Sequence, residues 1–447
     1  MTELVVCFGA GRVAGPLVSY LLRRTNVSVC VASAVPGEAK ALCAKYRNSL
    51  EGRSEETLTA LDVDVMDEGK NSTIVEELCS KAACVVALVP EPAQLRIAQA
   101  CIKTKTRLVT ASYPSVGIKE LDDAAKEAGV PMLCEMGLDP GMDHMIAMKM
   151  IDEVKAKNGQ VVRFTSVCGG LPAPDAANNP IKYKFSWSPI GALRAAQRPA
   201  QFLENGNVVK IAGRDILSHA RPTELFSGFE LEQIPNGNAL PYAEHYQISN
   251  AKSIFRGTLR YKGFCHVIHQ CVKLGLLSES DEIRQGAKWM DLLAAKINTS
   301  AMGGLDASTQ VFLHWLGLDS PTATIKKTQS IMAAFCDVLL EKLSFASGES
   351  DLVLMQVGVE AEYPDGSREF LEALFEEYGE SHGDTVMSKT VGVTAAIGVK
   401  LLLEGTVSSV GVLSPTLREI YKPSLELLEA EGIHFQETRQ SLTTPGP

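Results

Sequence analysis

Leu4-Val5-Val6-Cys7-Phe8 runs directly into Gly9-Ala10-Gly11-Arg12-Val13-Ala14, and helical spacing follows from Pro16 to Arg23. A run that is apolar at every position reads as a strand buried on both faces, as parallel strands are. The glycines fall where that strand turns into a helix. Gly9 suits the tight turn, Gly11 lets backbone approach a pyrophosphate set on the helix N-terminus, and Ala14 fills the small position where helix and strand pack. Placed here, the pattern predicts a Rossmann domain that binds a dinucleotide.

Outward from that turn the rhythm continues. Strands are expected at Val27 to Ala32, Leu61 to Val65, Ala83 to Val89, Arg107 to Ala111 and Val130 to Glu135. Helices are expected between them at Lys40 to Tyr46, Ile74 to Cys79, Ile97 to Ile102 and Ile118 to Glu127. Such alternation requires right-handed crossovers and a doubly wound parallel sheet. After Gly141 the rhythm breaks. A helix at Ala147 to Val154 and a strand at Val161 to Val167 precede a loop from Gly169 to Pro180. Strand-like pieces at Val208 to Ile211, Phe229 to Ile234 and Ile254 to Tyr261 suggest a mixed or antiparallel sheet. His266 to about Phe345 is helical in pattern, and Leu352 to Tyr363 alternates as a strand ending in the hairpin turn Pro364-Asp365-Gly366-Ser367. Thr385 to Leu403 and Leu425 to Glu431 read as helices.

A chain of 447 residues exceeds one ordinary core, so two or three domains are expected. The formal net charge of −10 gives no electrostatic footprint for nucleic acid or an anionic membrane, which leaves a small molecule as the expected partner. The wholly apolar run around Ala82 to Pro90 falls far short of the roughly 20 residues of a membrane helix. No signal peptide is read at Met1-Thr2-Glu3. Eleven scattered cysteines without CxxC pairs suit free thiols in a reducing compartment, so a cytoplasmic location is expected, another reducing compartment not being excluded. Cys265, His266, His269 and Cys271 lie within seven residues, but their spacing and interleaved apolar residues favour helix packing over zinc, and no metal is expected. A homodimer is left open.

The end of the second strand usually separates NAD from NADP, by an acid for the ribose hydroxyls or an Arg for the 2′-phosphate. Here it reads Ala32-Ser33-Ala34, with no Arg or Lys before Lys40. Ser33 can bond a ribose hydroxyl, so NAD is expected ahead of NADP. Asp64-Val65, at the end of the third strand, are expected near the adenine. Gly137-Leu138-Asp139-Pro140-Gly141-Met142-Asp143-His144 follows the sixth strand, at the edge where such sheets bind ligands. Asp139 and Asp143 suit either capping of the next helix or the site itself.

Longer motifs extend the reading. Ala111-Ser112-Tyr113, Glu135 to Met145, Cys168-Gly169-Gly170-Leu171-Pro172-Ala173-Pro174, Asn179-Pro180, Tyr183 to Pro189 and Phe255-Arg256-Gly257-Thr258-Leu259-Arg260-Tyr261 come in this order. Ala333 to Ser344, Asp351-Leu352-Val353, Ala395-Ala396-Ile397-Gly398 and Gly411-Val412-Leu413 follow. In sequence and spacing the set closely resembles the glutamate-forming saccharopine dehydrogenases (saccharopine reductases), from the first strand to near the end.

The resemblance implies α/β architecture: a Rossmann domain at 1–140 completed by C-terminal helices in 385–447, a central mixed α/β substrate domain at 141–272 with 346–384, and a smaller helical domain at 273–345. It implies oxidation of saccharopine at the lysine ε-carbon by a nicotinamide dinucleotide. Hydrolysis of the imine then gives glutamate and α-aminoadipate semialdehyde. It places the cofactor against Arg12, Val13, Ala32, Ser33, Asp64, Val65, Ala111, Leu138, Pro140 and Ser188, beside the glycine turn. It places the substrate against Ser112, Tyr113, Asp139, Thr258, Leu259 and Arg260, with Cys168 lining the site or filling space before a turn. Arg suits the substrate's carboxylates, and Asp139 and Tyr113 are proton-shuttle candidates by residue type.

Two departures stand out. Ala32 replaces an Arg common in members that use NADP. Gly237, in Pro235-Asn236-Gly237-Asn238-Ala239, replaces an Arg that holds a substrate carboxylate in the family. Arg221 and Arg256 are the nearby candidates to compensate. The alternatives are a dehydrogenase of a related opine-like or polyamine-derived secondary amine, and a catalytically silent dinucleotide-binding paralogue.

Overall fold

The computed structural model describes residues 2–47, 54–67, 69, 71–299 and 304–442. The chain divides into two compact units, Met1–Ala156 with Val386–Gln436, and Lys157–Thr385 with Glu437–Pro447.

Elements are numbered in chain order. In the first unit, among the described residues, seven strands form one parallel sheet. They are β1 (Glu3–Phe8), β2 (Val27–Ser33), β3 (Leu58–Asp62), β4 (Cys84–Ala87), β5 (Arg107–Thr110), β6 (Pro131–Leu133) and β17 (Gly411–Leu413), in the order β17-β6-β5-β4-β1-β2-β3. This is the expected Rossmann sheet, lengthened at one edge by a strand from the far end of the chain. The crossovers use α1 (Ala14–Arg24), α2 (Glu38–Tyr46), α3 (Asn71–Lys81), α4 (Glu91–Thr104), and the pair α5 (Val116–Lys119) and α6 (Asp122–Ala128). One face of the sheet, with Val6, Phe8, Cys30, Ala32, Val85, Ala87 and Leu108, is buried under α3 and α4 with Val75, Cys79, Ile97 and Cys101. α7 (Met142–Ala156), α14 (Val386–Leu403) and α15 (Arg418–Ala430) also belong to this unit, and α14 packs on α1. By length and composition α14 could cross a membrane; 78% of it is buried in the protein.

The third strand departs from expectation. Leu61 to Val65 alternates attractively, but the residues that pair with Val29–Ser33 are Leu58–Asp62. Val63 N donates once more, to Ser33 O, and the chain then turns, Asp64 Oδ1 accepting from Met66 N. Asp64 and Val65 therefore lie beyond the strand.

The second unit holds a mixed sheet of nine strands among the described residues. Its main path joins β10 (Arg221–Thr223), β11 (Leu231–Pro235), β12 (Ser253–Tyr261), β7 (Gln160–Pro172), β15 (Asp351–Glu362), β16 (Arg368–Tyr378) and β18 (Gln436–Leu442), and the hairpin β8 (Ala200–Glu204) and β9 (Asn207–Ile211) attaches to β12. β12 and β7 are parallel, while β11, β15 and β16 pair antiparallel. The hairpin expected around Pro364 to Ser367 joins β15 to β16. The loop expected from Gly169 is instead strand as far as Pro172, because β15 pairs along its length and the bare Gly169 admits Leu259 of β12. Around the sheet lie α8 (Pro189–Ala195), α9 (Tyr242–His245) and α10 (Phe264–Lys273). α11 (Trp289–Thr299), α12 (Ala307–Trp315) and α13 (Ile331–Lys342) lie in the same unit, with the two-stranded β13 (Glu282–Ile283) and β14 (Gln329–Ser330).

Candidate functional site

The cofactor candidates of the first unit gather at the carboxyl ends of β1, β2, β4 and β5. Gly9 has φ +108°, and a Cβ there would stand 2.3 Å from Leu88 O, so only glycine brings β1 and β4 together at the turn. Its N–H donates to Ala32 O. A Cβ on Gly11 would meet nothing within 4 Å, and Val13 at the N-cap of α1 offers no side-chain cap. An open backbone cradle in front of an uncapped helix start suits the pyrophosphate of a dinucleotide. Arg12 is exposed beside it and Val13 half-buried.

At the end of β2, Ala32 is buried in the core and Ser33 serves the turn. The Ser33 hydroxyl donates to Glu38 Oε2 at 2.5 Å and accepts from Val35 N at 3.2 Å. The hydroxyl's donor and one of its two acceptor positions are thus engaged within the turn. Asp64 is exposed and Val65 buried, and the Val65 and Met66 carbonyls accept from Arg96 Nη1.

Ala111, Ser112 and Tyr113 follow β5. Gln94, buried on α4, donates to Ser112 Oγ at 3.1 Å and to Val89 O, fixing that corner. Tyr113 OH donates to Asp139 Oδ1 at 2.6 Å. Asp139 is half-buried and enters a cis peptide with Pro140, while Leu138 is buried. Asp143 takes the structural role open to it: Gly141 N donates to its Oδ1 at 2.7 Å, closing the turn before α7. Two residues that the sequence reading passed over complete this region. His144, fully buried, lies 3.4 Å from Asp143 Oδ2 and 3.6 Å from Glu135 Oε2. Glu135 holds φ +61°, an unusual conformation for a side-chain-bearing residue.

In the second unit, strand alternation sorts the substrate candidates. Leu259 joins Val167, Leu171, Leu231, Tyr261, Leu352 and Leu354 in an apolar core on one face, leaving its backbone rather than its side chain for any ligand. Arg256, Thr258 and Arg260 alternate onto the other face. Their register partners on β7 and β11, namely Ser166, Cys168 and Glu232, share that face. Arg260 is buried, its Cζ 5.1 Å from the Tyr183 ring centroid and 5.3 Å from that of Phe264. Its Nη1 donates to Leu259 O at 2.8 Å, while its Nε and the buried Ser166 Oγ have no hydrogen-bond partner among the described residues. No carboxylate among the described residues lies within ion-pair distance of Arg260. Ser166 was not among the sequence candidates; alternation with Cys168 is the signal that finds it. Arg256 is buried too, its Cζ 4.4 Å from the Tyr242 ring centroid. Ser188 caps α8, accepting from Gly191 N at 3.3 Å.

The candidates to compensate for Gly237 are engaged with other groups, although Arg256 adjoins the loop through the bond from Asn236 N to its carbonyl. Arg221 is exposed on β10 and pairs with Glu204 at 3.5 Å, and Arg256 stacks on Tyr242. Gly237 has φ +62°, and what a Cβ there would meet is Arg198, at 3.4 Å from Cδ and 3.9 Å from Nη1.

The cysteine and histidine cluster is split by its helix. Cys265 and Cys271 are buried, with burial pushing both thiols up, while His266 is exposed near Asp306. Burial lowers the His269 pKa. No group of three metal-capable side chains forms among the described residues. All eleven cysteines are free thiols.

A Rossmann sheet with an open glycine cradle, and a second sheet presenting a buried arginine, define a dinucleotide-binding protein of the two-unit dehydrogenase kind. Residues 5–133 match the profile described as the saccharopine dehydrogenase NADP binding domain, and residues 137–433 match the saccharopine dehydrogenase C-terminal domain. The chain belongs to the saccharopine dehydrogenase family.

A saccharopine dehydrogenase [NADP(+), L-glutamate-forming] from Pyricularia oryzae is 36% identical over 98% of this chain and 99% of its own. Rattus norvegicus mitochondrial alpha-aminoadipic semialdehyde synthase is 35% identical over 96% of this chain; the match covers 47% of that relative, so the chain spans about half its length. The apo saccharopine dehydrogenase (L-Glu forming) of Saccharomyces cerevisiae superposes with a TM-score of 0.84 at 30% identity, covering 99% of this chain and 100% of that one.

These findings overturn the expected preference for NAD. The matching nucleotide-binding profile and several relatives are named for NADP. The absence of Arg at position 32 is not the absence of a 2′-phosphate site, and the Ser33 hydroxyl, bonded to Glu38 and Val35 N, keeps one acceptor position. Donors and positive potential for a phosphate can come from elsewhere around the turn after β2.

Proposed function

We propose that this chain interconverts saccharopine with glutamate and α-aminoadipate semialdehyde, using NADP as the hydride acceptor in the oxidative direction. The observation that carries the reading is Arg260. A guanidinium buried between two aromatic rings and lacking a carboxylate partner among the described residues is costly unless a ligand supplies the anion. Saccharopine has three carboxylates, and a planar guanidinium binds one bidentately.

When bound, NADP accepts the hydride that leaves the lysine ε-carbon and is reduced to NADPH. The glycine cradle would hold its pyrophosphate, and Asp139, Tyr113 and Ser112 stand on the loops that follow β5 and β6. Loss of hydride from the ε-carbon leaves a carbon–nitrogen double bond. Water adds to that carbon, one proton is transferred to nitrogen, and the carbon–nitrogen bond breaks to give the aldehyde and the amine of glutamate. Asp139, sharing a proton through Tyr113 OH, is the group that takes and returns protons. Arg260 and Thr258 hold carboxylate, and Ser166 and Cys168 line the same sheet face.

Steady-state assays with saccharopine and NADP, run beside other secondary amines of the opine class, test the reading. Turnover of saccharopine at the highest kcat/KM is expected. Absence of saccharopine turnover with robust turnover of another secondary amine would sink it.

A further inference from the structure

We infer that Arg198 is a carboxylate-binding, specificity-determining residue, delivering its guanidinium across the bare surface of Gly237. The inference rests on the proposed reaction for the identity of the substrate, but its observations are independent. Arg198 follows α8, on the segment that leads into β8, and is exposed. Its Cδ and Nη1 lie 3.4 and 3.9 Å from where a Gly237 side chain would begin, so the arginine stem runs in van der Waals reach of that position.

The two segments are tied by backbone. Gln201 N donates to Gly237 O at 3.0 Å, Ala239 N donates to Gln201 O at 2.7 Å, and Gln201 and Asn238 form a bridge. The same loop is anchored to the ligand-bearing strand, because Asn236 N donates to Arg256 O at 2.8 Å on β12. The segment carrying Arg198 is therefore tied to a loop that is itself hydrogen-bonded to the strand carrying Thr258 and Arg260.

Charge separates Arg198 from its neighbours. Arg163, Arg194, Arg214, Arg221 and Arg368 of this unit each face a carboxylate, from Glu360, Glu279, Asp215, Glu204 and Glu360 respectively. Among the described residues no carboxylate lies within ion-pair distance of Arg198. A substrate with three carboxylates needs more than one cation, and Arg260 and Arg198 are two guanidiniums of this unit with no carboxylate within ion-pair distance among the described residues. The positive φ of Gly237 fits the same arrangement: a long side chain at 237 would be strained, whereas glycine leaves the path of Arg198 open.

The test compares wild type with Arg198→Met, which keeps an aliphatic stem over Gly237 and removes the charge, and with Arg198→Lys. Saccharopine kinetics are paired with calorimetric titration of glutarate, a bare dicarboxylate, into the same proteins. Expected for Arg198→Met are a KM for saccharopine at least about 10-fold higher and a kcat within about 3-fold, because a carboxylate remote from the reacting carbon is held equally in ground and transition states. Glutarate affinity falls in parallel, Arg198→Lys lies between, and melting temperature is unchanged. A saccharopine KM within about 2-fold of wild type would overturn the inference and leave the proposed reaction standing. If wild type does not turn saccharopine over, the proposed reaction fails and glutarate decides: weaker binding to Arg198→Met than to wild type sustains the site, and equal or absent binding in both overturns it.

Discussion

The Tyr113 hydroxyl donates to Asp139 Oδ1 at 2.6 Å, joining the loop after β5 to the loop after β6 at the carboxyl edge of the parallel sheet. A carboxylate bridged to a phenol can take a proton while the phenol keeps its orientation. Asp139→Asn is therefore expected to lower kcat with saccharopine by roughly 100-fold or more, the lower range for loss of a general acid–base group. Tyr113→Phe should cost less, and the double variant little more than Asp139→Asn alone, since the two act as a unit. NADPH fluorescence titration should stay within about 3-fold of wild type. Near-normal kcat in Asp139→Asn would reduce the pair to a loop tie.

The glycine turn separates fold from binding. Gly9→Ala meets both a positive φ and the Leu88 carbonyl at 2.3 Å, so it should lower the melting temperature and abolish nucleotide binding together. Gly11→Ala meets nothing in the protein, so stability should hold while NADP affinity drops by about 10-fold or more, the new methyl standing where the pyrophosphate approaches. Equal effects of the two variants on stability would contradict the geometry.

Ser33 and Glu38 give a handle on cofactor choice. The Glu38 carboxylate, 2.5 Å from Ser33 Oγ, places negative charge beside the turn that follows β2. Glu38→Gln should lower KM for NADP by about 3-fold and leave KM for NAD nearly unchanged, with the difference shrinking at high salt as exposed charges are screened. An equal change for both nucleotides would show that the 2′-phosphate lies away from this turn.

Acid sensitivity of the first unit should trace in part to Glu419. Burial on its own would raise its pKa, but hydrogen bonds from Ser409 and Ser408 outweigh it and hold the carboxyl at about 2. A depressed folded-state pKa contributes stability above the unfolded value and loses it as pH falls through the folded one. The window runs from the ordinary value of 4.5 down to about 2. Glu419→Gln should melt about 2–4 °C lower at pH 7, as the loss of a helix-start anchor does in a unit of this size. The gap should close toward pH 2; a gap independent of pH would point to packing rather than charge.

The first unit was legible because its strands are apolar on both faces and its crossovers short, so position along the chain mapped onto position in the sheet. β17 was not assigned to that sheet, since nothing local marks Gly411–Leu413 as the neighbour of Pro131–Leu133. The third strand was misplaced because Leu61 to Val65 alternates better than the residues that pair. Of the site, Asp139, Tyr113 and Arg260 came from motifs, whereas Ser166 carries no signature beyond alternation. Arg198 was invisible because it reaches Gly237 from another segment of the second unit, a proximity that only the tie between Gln201 and the 237–239 loop creates.

Arg260 gives the sharpest separation of function from fold. If its guanidinium were structural, removing it would destabilise the second unit, as breaking a buried pair does. Yet among the described residues Arg260 has no carboxylate within ion-pair distance and its Nε has no hydrogen-bond partner, and its guanidinium lies against the Tyr183 and Phe264 rings. Burying such a charge costs stability, so an apolar replacement of similar length should relieve that cost. Arg260→Met is expected to raise the melting temperature of the ligand-free protein by about 2–4 °C, the shift that roughly 1 kcal/mol produces in units of this size. It should also raise KM for saccharopine by about 30-fold or more, as loss of a charge-assisted contact costs about 2–5 kcal/mol. Saccharopine should protect wild type against thermal unfolding and fail to protect the variant. A lower melting temperature in Arg260→Met, with saccharopine affinity retained, would make the arginine a packing element and remove the observation on which the proposed substrate rests.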